Sequence, residues 1–271
     1  MNIKFSYYTN KGDIRANNED SLLIDKIIKN NLSLNEYESL IIEDKNSSIA
    51  VVADGMGGYE KGELASKIAL ESLVNVNSKE SIKEFLLKAK LQLNDLVKEN
   101  PTLLGIGTTL AGIYIDENSI EVFNMGDCRV YKYSRGFLEK VSNDHSKVQV
   151  LFDIGEISED DMRTHPNKNL VTSSLSGDKS LSLDEVYLKT LKRKDNQIFF
   201  LCSDGLWEIF SIEELEACFD KDNITEIAKD IIEKSTEKEK SDNISFIIVE
   251  VEWGIDERTR DSKNIIKKFY S

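Results

Sequence analysis

The sequence predicts an α+β fold, with antiparallel sheets that carry helices on their outer faces. Three observations lead there. Short runs rich in β-branched and aromatic residues recur along the chain, and two stretches place apolar residues three and four apart. From 106 to 141, successive strand-like runs are joined by turns too short for the crossovers that a parallel sheet requires. Strands and helices thus fall in separate blocks, as α+β domains have them.

The strand-like runs lie at 3–8, 21–28, 49–53, 106–115, 119–125, 128–133, 197–202 and 244–251. After the third, Ala65, Ile68, Ala69, Ser72, Leu73 and Val76 mark one helical face. Ile82, Phe85, Leu86, Ala89, Leu93, Leu96 and Val97 mark a second, and Pro101 lies just past its end. Both stripes read as helix faces packed on a sheet. The turns "DENS", "MGD" and "SRG" divide the meander at 116–119, 125–127 and 134–136. Residues 146–183 mix short helical pieces with polar turns and read as an excursion from the core. Residues 254–271, with five basic and three acidic side chains, read as a short solvated tail behind a single domain at 1–253.

At 271 residues with two prolines and no linker-like tract, one domain with a full core is the expectation. The 49 acidic and 35 basic side chains give a net charge of −14, which repels nucleic acid and anionic membranes and favours divalent cations. No secretory signal or membrane-length apolar stretch is present, so a soluble cytoplasmic protein is expected, with monomer as the default state. Cys128, Cys202 and Cys218 lack CxxC spacing and read as buried free thiols. With His145 and His165 the only histidines, imidazole zinc sites and a serine hydrolase are poorly supported.

The chemistry lies in the carboxylates. Asp54 ends "IAVVAD", Asp204 ends "IFFLCSD" and Asp242 opens "DNISFIIVEV", so each sits directly beside an apolar strand. Strand-end carboxylates brought to one sheet edge repel one another, and a hard divalent cation relieves that repulsion. Taken singly, each Asp-Gly reads as a turn before it reads as a ligand, and Asp242-Asn243 as the start of a strand. Two further acidic clusters, "RANNED" (Arg15, Glu19, Asp20) and "NMGDCRVY" (Gly126, Asp127, Arg129), favour the metal reading.

The ordered set RxxxED, VADGMGG, GTT at 107–109, NMGDCR, DHS at 144–146, LVTSSLSG at 170–177, LCSDGLWE and SDNIS resembles the bacterial form of the metal-dependent type 2C protein serine/threonine phosphatases, from about residue 3 to 251. The resemblance implies a central antiparallel β-sandwich flanked by helices on both sides and a binuclear Mg²⁺ or Mn²⁺ centre. It implies Asp54 as the bridging carboxylate, Gly55 as a backbone carbonyl ligand, and Asp204 and Asp242 as further ligands of the first metal. Glu19 would hold the second metal through its water, with Asp20 in the water network, and Asp127 would help hold a weaker third metal with Asp204. Arg15 would receive the substrate phosphate. It further implies hydrolysis of phosphoserine and phosphothreonine in proteins by a metal-activated water without a phosphoenzyme, opposing a bacterial Ser/Thr kinase. Six carboxylates carry −6 against +4 for two dications; Arg15 and a third cation would offset the remaining two negative charges. Gly55 is expected because a side chain would crowd its carbonyl's approach to a metal, and Gly57 and Gly58 because the chain must turn into a helix beginning near Tyr59.

Three positions depart from the family. Met56 stands where some members place a histidine general acid, and methionine donates no proton. Ser173 and Ser174 replace the arginine-alanine pair of the segment 146–183, which corresponds to the family's substrate-access flap. His145 is expected to hydrogen-bond within its loop, without a catalytic role. Competing chemistries lack residues: no cysteine has an arginine six positions later, and "DKDNIT" at 220–225 reads as a helix boundary, not an aspartyl nucleophile. A catalytically silent phosphoprotein-binding relative is the alternative; retention of Arg15 and the three core aspartates argues against it.

Overall fold

In the computed structural model of the protein, which describes residues 1–57 and 61–253, two antiparallel sheets stack face to face. The first orders its strands β4 (Glu38–Ile42), β1 (Asn2–Asn10), β13 (Ile244–Glu252), β12 (Gln197–Cys202), β8 (Arg129–Ser134) and β9 (Phe137–Lys140). The second orders β11 (Tyr187–Lys192), β7 (Ser119–Met125), β6 (Gly107–Asp116), β5 (Ser47–Met56), β2 (Ser21–Ile24) and β3 (Ile27–Asn30), with β10 (Leu175–Ser176) added onto β6.

The central strands are apolar on consecutive residues because both sheet faces are covered. In β5, Ala50 and Val52 face the opposite sheet, whereas Val51 and Ala53 face helices α1 (Gly62–Leu73) and α2 (Ile82–Glu99). In β13, Ile247 and Val249 point between the sheets, and Phe246 and Ile248 point to α5 (Asp204–Trp207), α6 (Ile212–Cys218) and α7 (Ile224–Ser235). Three apolar layers, one between the sheets and one under each set of helices, give the four-layer sandwich the resemblance implies. Asn223 caps α7 by accepting the Thr225 and Glu226 N–H groups, so "DKDNIT" is indeed a helix boundary.

Two expectations change. The run 21–28 is a hairpin: β2 and β3 are separated at Asp25, whose φ of 55° makes the turn. The first helix begins at Gly62, later than Tyr59; Gly58, Tyr59 and the tail 254–271 lie outside the described residues. Among the described residues, no helix is long and apolar enough to cross a membrane.

The excursion at 146–183 contains α3 (Lys147–Asp153), α4 (Glu159–Thr164) and β10. Helix α2 pins its far end. The ammonium of Lys90, 1 % exposed, donates to the Ser176 carbonyl at 2.8 Å and pairs with Asp178, while Asn94 Nδ2 donates to the Ser180 carbonyl at 2.6 Å. Asp178→Ala leaves that buried ammonium with one carbonyl and is expected to cost about 1–3 kcal/mol in urea unfolding. Lys90→Met keeps the stem without a buried charge and is expected to cost less; the reverse order would show that the ion pair does not hold this segment.

Candidate active site

The carboxylate-bearing segments meet at one end of the sandwich because of register. Ser21 pairs with Ala53, which sets Asp20 beside Asp54; Asp54 itself pairs with Thr109. Met125 ends β7 opposite Leu110, so Gly126 and Asp127 leave the sheet at the same edge. In the other sheet Cys202 pairs with Phe246, and Asp204 and Asp242 lie just beyond those strand ends. The result is a cleft of about 220 Å³ lined by Arg15, Glu19, Asp54, Gly55, Asp127, Asp204 and Asp242, with Met56, Gly57, Thr109, Asn169 and Asn243.

Seven of the eight sequence-predicted site residues thus share one cleft. The eighth, Asp20, is buried behind it, where its Oδ2 accepts from the Ser203 hydroxyl at 2.8 Å. Arg129, from the same motif as Asp127, points away: its guanidinium binds Asp144 at 2.7 Å and lies 3.7 Å over the Trp207 ring. It therefore braces the strand instead of lining the cleft.

Burial and mutual repulsion govern the acids. Burial raises Asp54 and Asp127 well above the usual carboxylate range, and the Asp204 charge pushes both further. Asp204 is pushed to about 6, by burial and then by Asp242. Burial takes Asp20 to about 7, although hydrogen bonds from Ser245 and Ser203 oppose the shift. Glu19 is raised by burial as well. Among the described residues, no three acidic, histidine or cysteine side chains close around one point. The acids share the cleft, where the Asp54 and Asp204 side chains come within hydrogen-bond reach of each other, and Arg15 draws Asp242 to itself at 2.6 Å.

Several positioning groups escaped the sequence reading. Asn243 Oδ1 accepts the Glu19 N–H at 2.8 Å, while its Nδ2 donates to the carbonyls of Lys11 (2.9 Å) and Asn17 (3.0 Å), tying the Arg15–Glu19 loop to the start of β13. Thr108 Oγ1 donates to the Asp54 carbonyl at 2.7 Å. Gly62 N–H donates to Glu19 Oε1 at 3.1 Å. Only the motifs GTT and SDNIS signalled any of these, and Gly62 was unmarked. Asn169 comes from the excursion 146–183, which its motif did not predict.

Gly55 has a second reason to be glycine. A Cβ there would lie 2.1 Å from the Gly62 carbonyl oxygen and 2.7 Å from that of Glu19, both backbone atoms that cannot swing aside. Gly55→Ala is therefore expected to lower stability by about 1–3 kcal/mol and to separate Glu19 from Asp54. Thermal unfolding beside a divalent-cation titration checks it; parent-like behaviour in both would refute the close approach.

With this geometry in view, similarity to known proteins is informative. The protein phosphatase 2C family profile matches residues 27–245. The serine/threonine phosphatase Stp of Listeria monocytogenes is 29 % identical over 257 residues, covering 90 % of this chain and 94 % of its own. The crystal structure of the Mycobacterium tuberculosis serine/threonine phosphatase PstP/Ppp is 25 % identical with a TM-score of 0.76, covering 93 % of this chain and 100 % of that one. The catalytic domain of PstP in complex with two manganese ions has a TM-score of 0.74 at 24 % identity, covering 92 % and 98 %. By the family match over most of its length, the chain belongs to the protein phosphatase 2C family.

Proposed function

We propose that this protein hydrolyses phosphoserine and phosphothreonine in proteins with Mg²⁺ or Mn²⁺, and that it counteracts a Ser/Thr protein kinase. The observation that carries the reading is a set of buried, mutually repelling carboxylates at one sandwich end with a single guanidinium at its rim. The domain at 1–253 performs the chemistry, and 146–183 acts as its flap.

The residues fit divalent cations. Asp20 Oδ1 and Asp204 Oδ1 are buried without a hydrogen-bond partner among the described residues, and a carboxylate oxygen left so is costly unless a cation takes it. Every donor facing the cleft from the acids is oxygen, which suits Mg²⁺ and Mn²⁺ alike. Asp54, Asp204, Asp242 and the Gly55 carbonyl would hold one ion; Asp54 and Glu19, with Asp20 behind, would serve a second, and Asp127 with Asp204 a third. Bound dications would neutralise the cluster and make water nucleophilic at neutral pH.

The chain's own groups do the rest. Arg15, half exposed, can leave Asp242 for the incoming phosphate, whose oxygens match its planar fork. Ser203, 0 % exposed, donates to Asp20 Oδ2 and so holds that carboxylate in place behind the cleft. Met56 lines the cleft and cannot protonate a leaving alkoxide, so that proton comes from water.

Asp204→Asn is expected to abolish Mn²⁺-dependent hydrolysis of a phosphothreonine peptide. Arg15→Ala is expected to lower kcat/KM about 10²–10³-fold, the scale for losing one charge-stabilising donor. A parent protein that binds such a peptide without releasing phosphate would establish the silent alternative.

The acids also set a pH dependence. The folded values for Asp204 and Asp20, about 6 and about 7, lie above the ordinary 3.8, so the folded state binds more protons than the unfolded one between those values. Chelator-treated protein should therefore lose thermal stability as pH rises from about 4 to about 7, and Mn²⁺ should restore more at pH 7.5 than at pH 5. A flat profile would mean that the acids do not repel as described.

A further inference from the structure

His145 occupies the junction between the Asp127 turn and the segment 169–172. It is 6 % exposed, in the loop between β9 and α3. Its backbone N–H donates to the Gly126 carbonyl at 2.8 Å, and its ring Nδ1 accepts the Gly126 N–H at 3.2 Å. Its own carbonyl accepts the Thr172 N–H at 2.8 Å. The next residues continue the seam: Ser146 bridges Val171, and Lys147 N–H donates to the Leu170 carbonyl at 2.8 Å. Leu170 directly follows Asn169, which lines the cleft.

The ring bond has a chemical requirement. Nδ1 must offer a lone pair, so the neutral ring carries its proton on Nε2, and that Nε2 is buried without a partner among the described residues. A side chain kept only to fill space would not bury an unpaired N–H. The acceptor face toward Gly126 is what this position provides. Gly126 is required as glycine there: its φ is +96°, and Thr109 Cβ lies 2.3 Å from where a Cβ would be. On the far side, Trp207 Nε1 donates to the Asp127 carbonyl at 2.9 Å.

We propose that His145 is a positioning residue that fixes the Asp127 turn and fastens it to residues 169–172, so that the Asp127 carboxylate and the flap edge are placed as one unit. The inference rests on the reading of Asp127 as the acid for a weaker third cation. Loss of the ring acceptor should loosen the Met125–Gly126 peptide from which the Asp127 turn leaves the sheet, weaken that cation and free the flap edge together.

The test uses side chains that place an acceptor differently. His145→Asn puts a carbonyl oxygen where Nδ1 lies, His145→Gln puts it one bond farther out, and His145→Ala removes it. In the full-length, metal-stripped protein, calorimetric Mn²⁺ titration should show the weakest binding step reduced about tenfold in the Gln and Ala variants and changed less than about twofold in the Asn variant, as for other groups that orient a ligand. Amide exchange at Gly126 and at Thr172 should accelerate together in the first two and stay parent-like in the third. If the Ala variant does not fold, the Gln–Asn contrast decides. A lowered melting temperature with unchanged Mn²⁺ binding in the Gln variant would reduce His145 to a structural role and overturn the proposal, as would an Asn variant that behaves like Gln. A parent protein that takes up no Mn²⁺ would instead overturn the phosphatase reading, and exchange at Gly126 and Thr172 would then decide the latch alone.

Discussion

The constraint on which the molecule depends is the electrostatic cost of holding several carboxylates at one end of a rigid sandwich. Asp204 raises the proton affinity of both Asp54 and Asp127, Asp242 raises that of Asp204, and Asp54, Asp127 and Asp204 are all held by strands whose pairing is closed on both sides. A loop bearing the same acids would swing them apart into water. Here β5, β7, β12 and β13 all run through the centre of their sheets, and none can move without breaking two ladders. The two apolar layers under the helices and the one between the sheets supply the stability that this repulsion opposes.

How much of this the sequence discloses follows from where the signal is strong. Central strands such as 119–125 and 197–202 are legible to the residue because burial on both faces fills them with β-branched and aromatic side chains, Ile120, Val122 and Phe123 in one and Ile198, Phe199 and Phe200 in the other. Of the strands that escaped, β4, β9 and β11 lie at sheet edges. Their sequences, "ESLII", "FLEK" and "YLKTLK", carry charges that protect an exposed ladder from pairing with another chain, and the same charges dilute the strand pattern. β3 was merged with β2 for the related reason that its hairpin turns on Asp25 without a glycine.

At the site, the charged residues that line the cleft were readable and the groups that orient them were not. Asp54, Asp204 and Asp242 declare themselves by standing after or before an apolar run. Gly62 reaches the Glu19 carboxylate with its backbone N–H from 43 residues away, Asn243 reaches the Glu19 backbone N–H with its side chain from 224 residues away, and no local pattern encodes such contacts. Arg129 shares a motif with Asp127 but opens β8, where Asp144 and Trp207 hold its side chain outside the cleft lining.

A polar seam explains how the innermost acid is tolerated at all. Asn18 Nδ2 donates to Thr9 Oγ1 at 2.7 Å, Thr9 Oγ1 meets Ser245 Oγ at 2.8 Å, the Ser245 N–H donates to Ser203 Oγ at 3.1 Å, and Ser203 donates to Asp20. Small hydroxyl side chains thus replace water along a path that crosses from β1 to β13 to the end of β12. They satisfy one Asp20 oxygen and leave the other unpaired. A side chain that satisfied both would make the site stable and inert; one that satisfied neither would expel the acid from the fold. The seam therefore sets the acid between those limits, and it does so with residues that carry no charge and so add nothing to the repulsion they moderate.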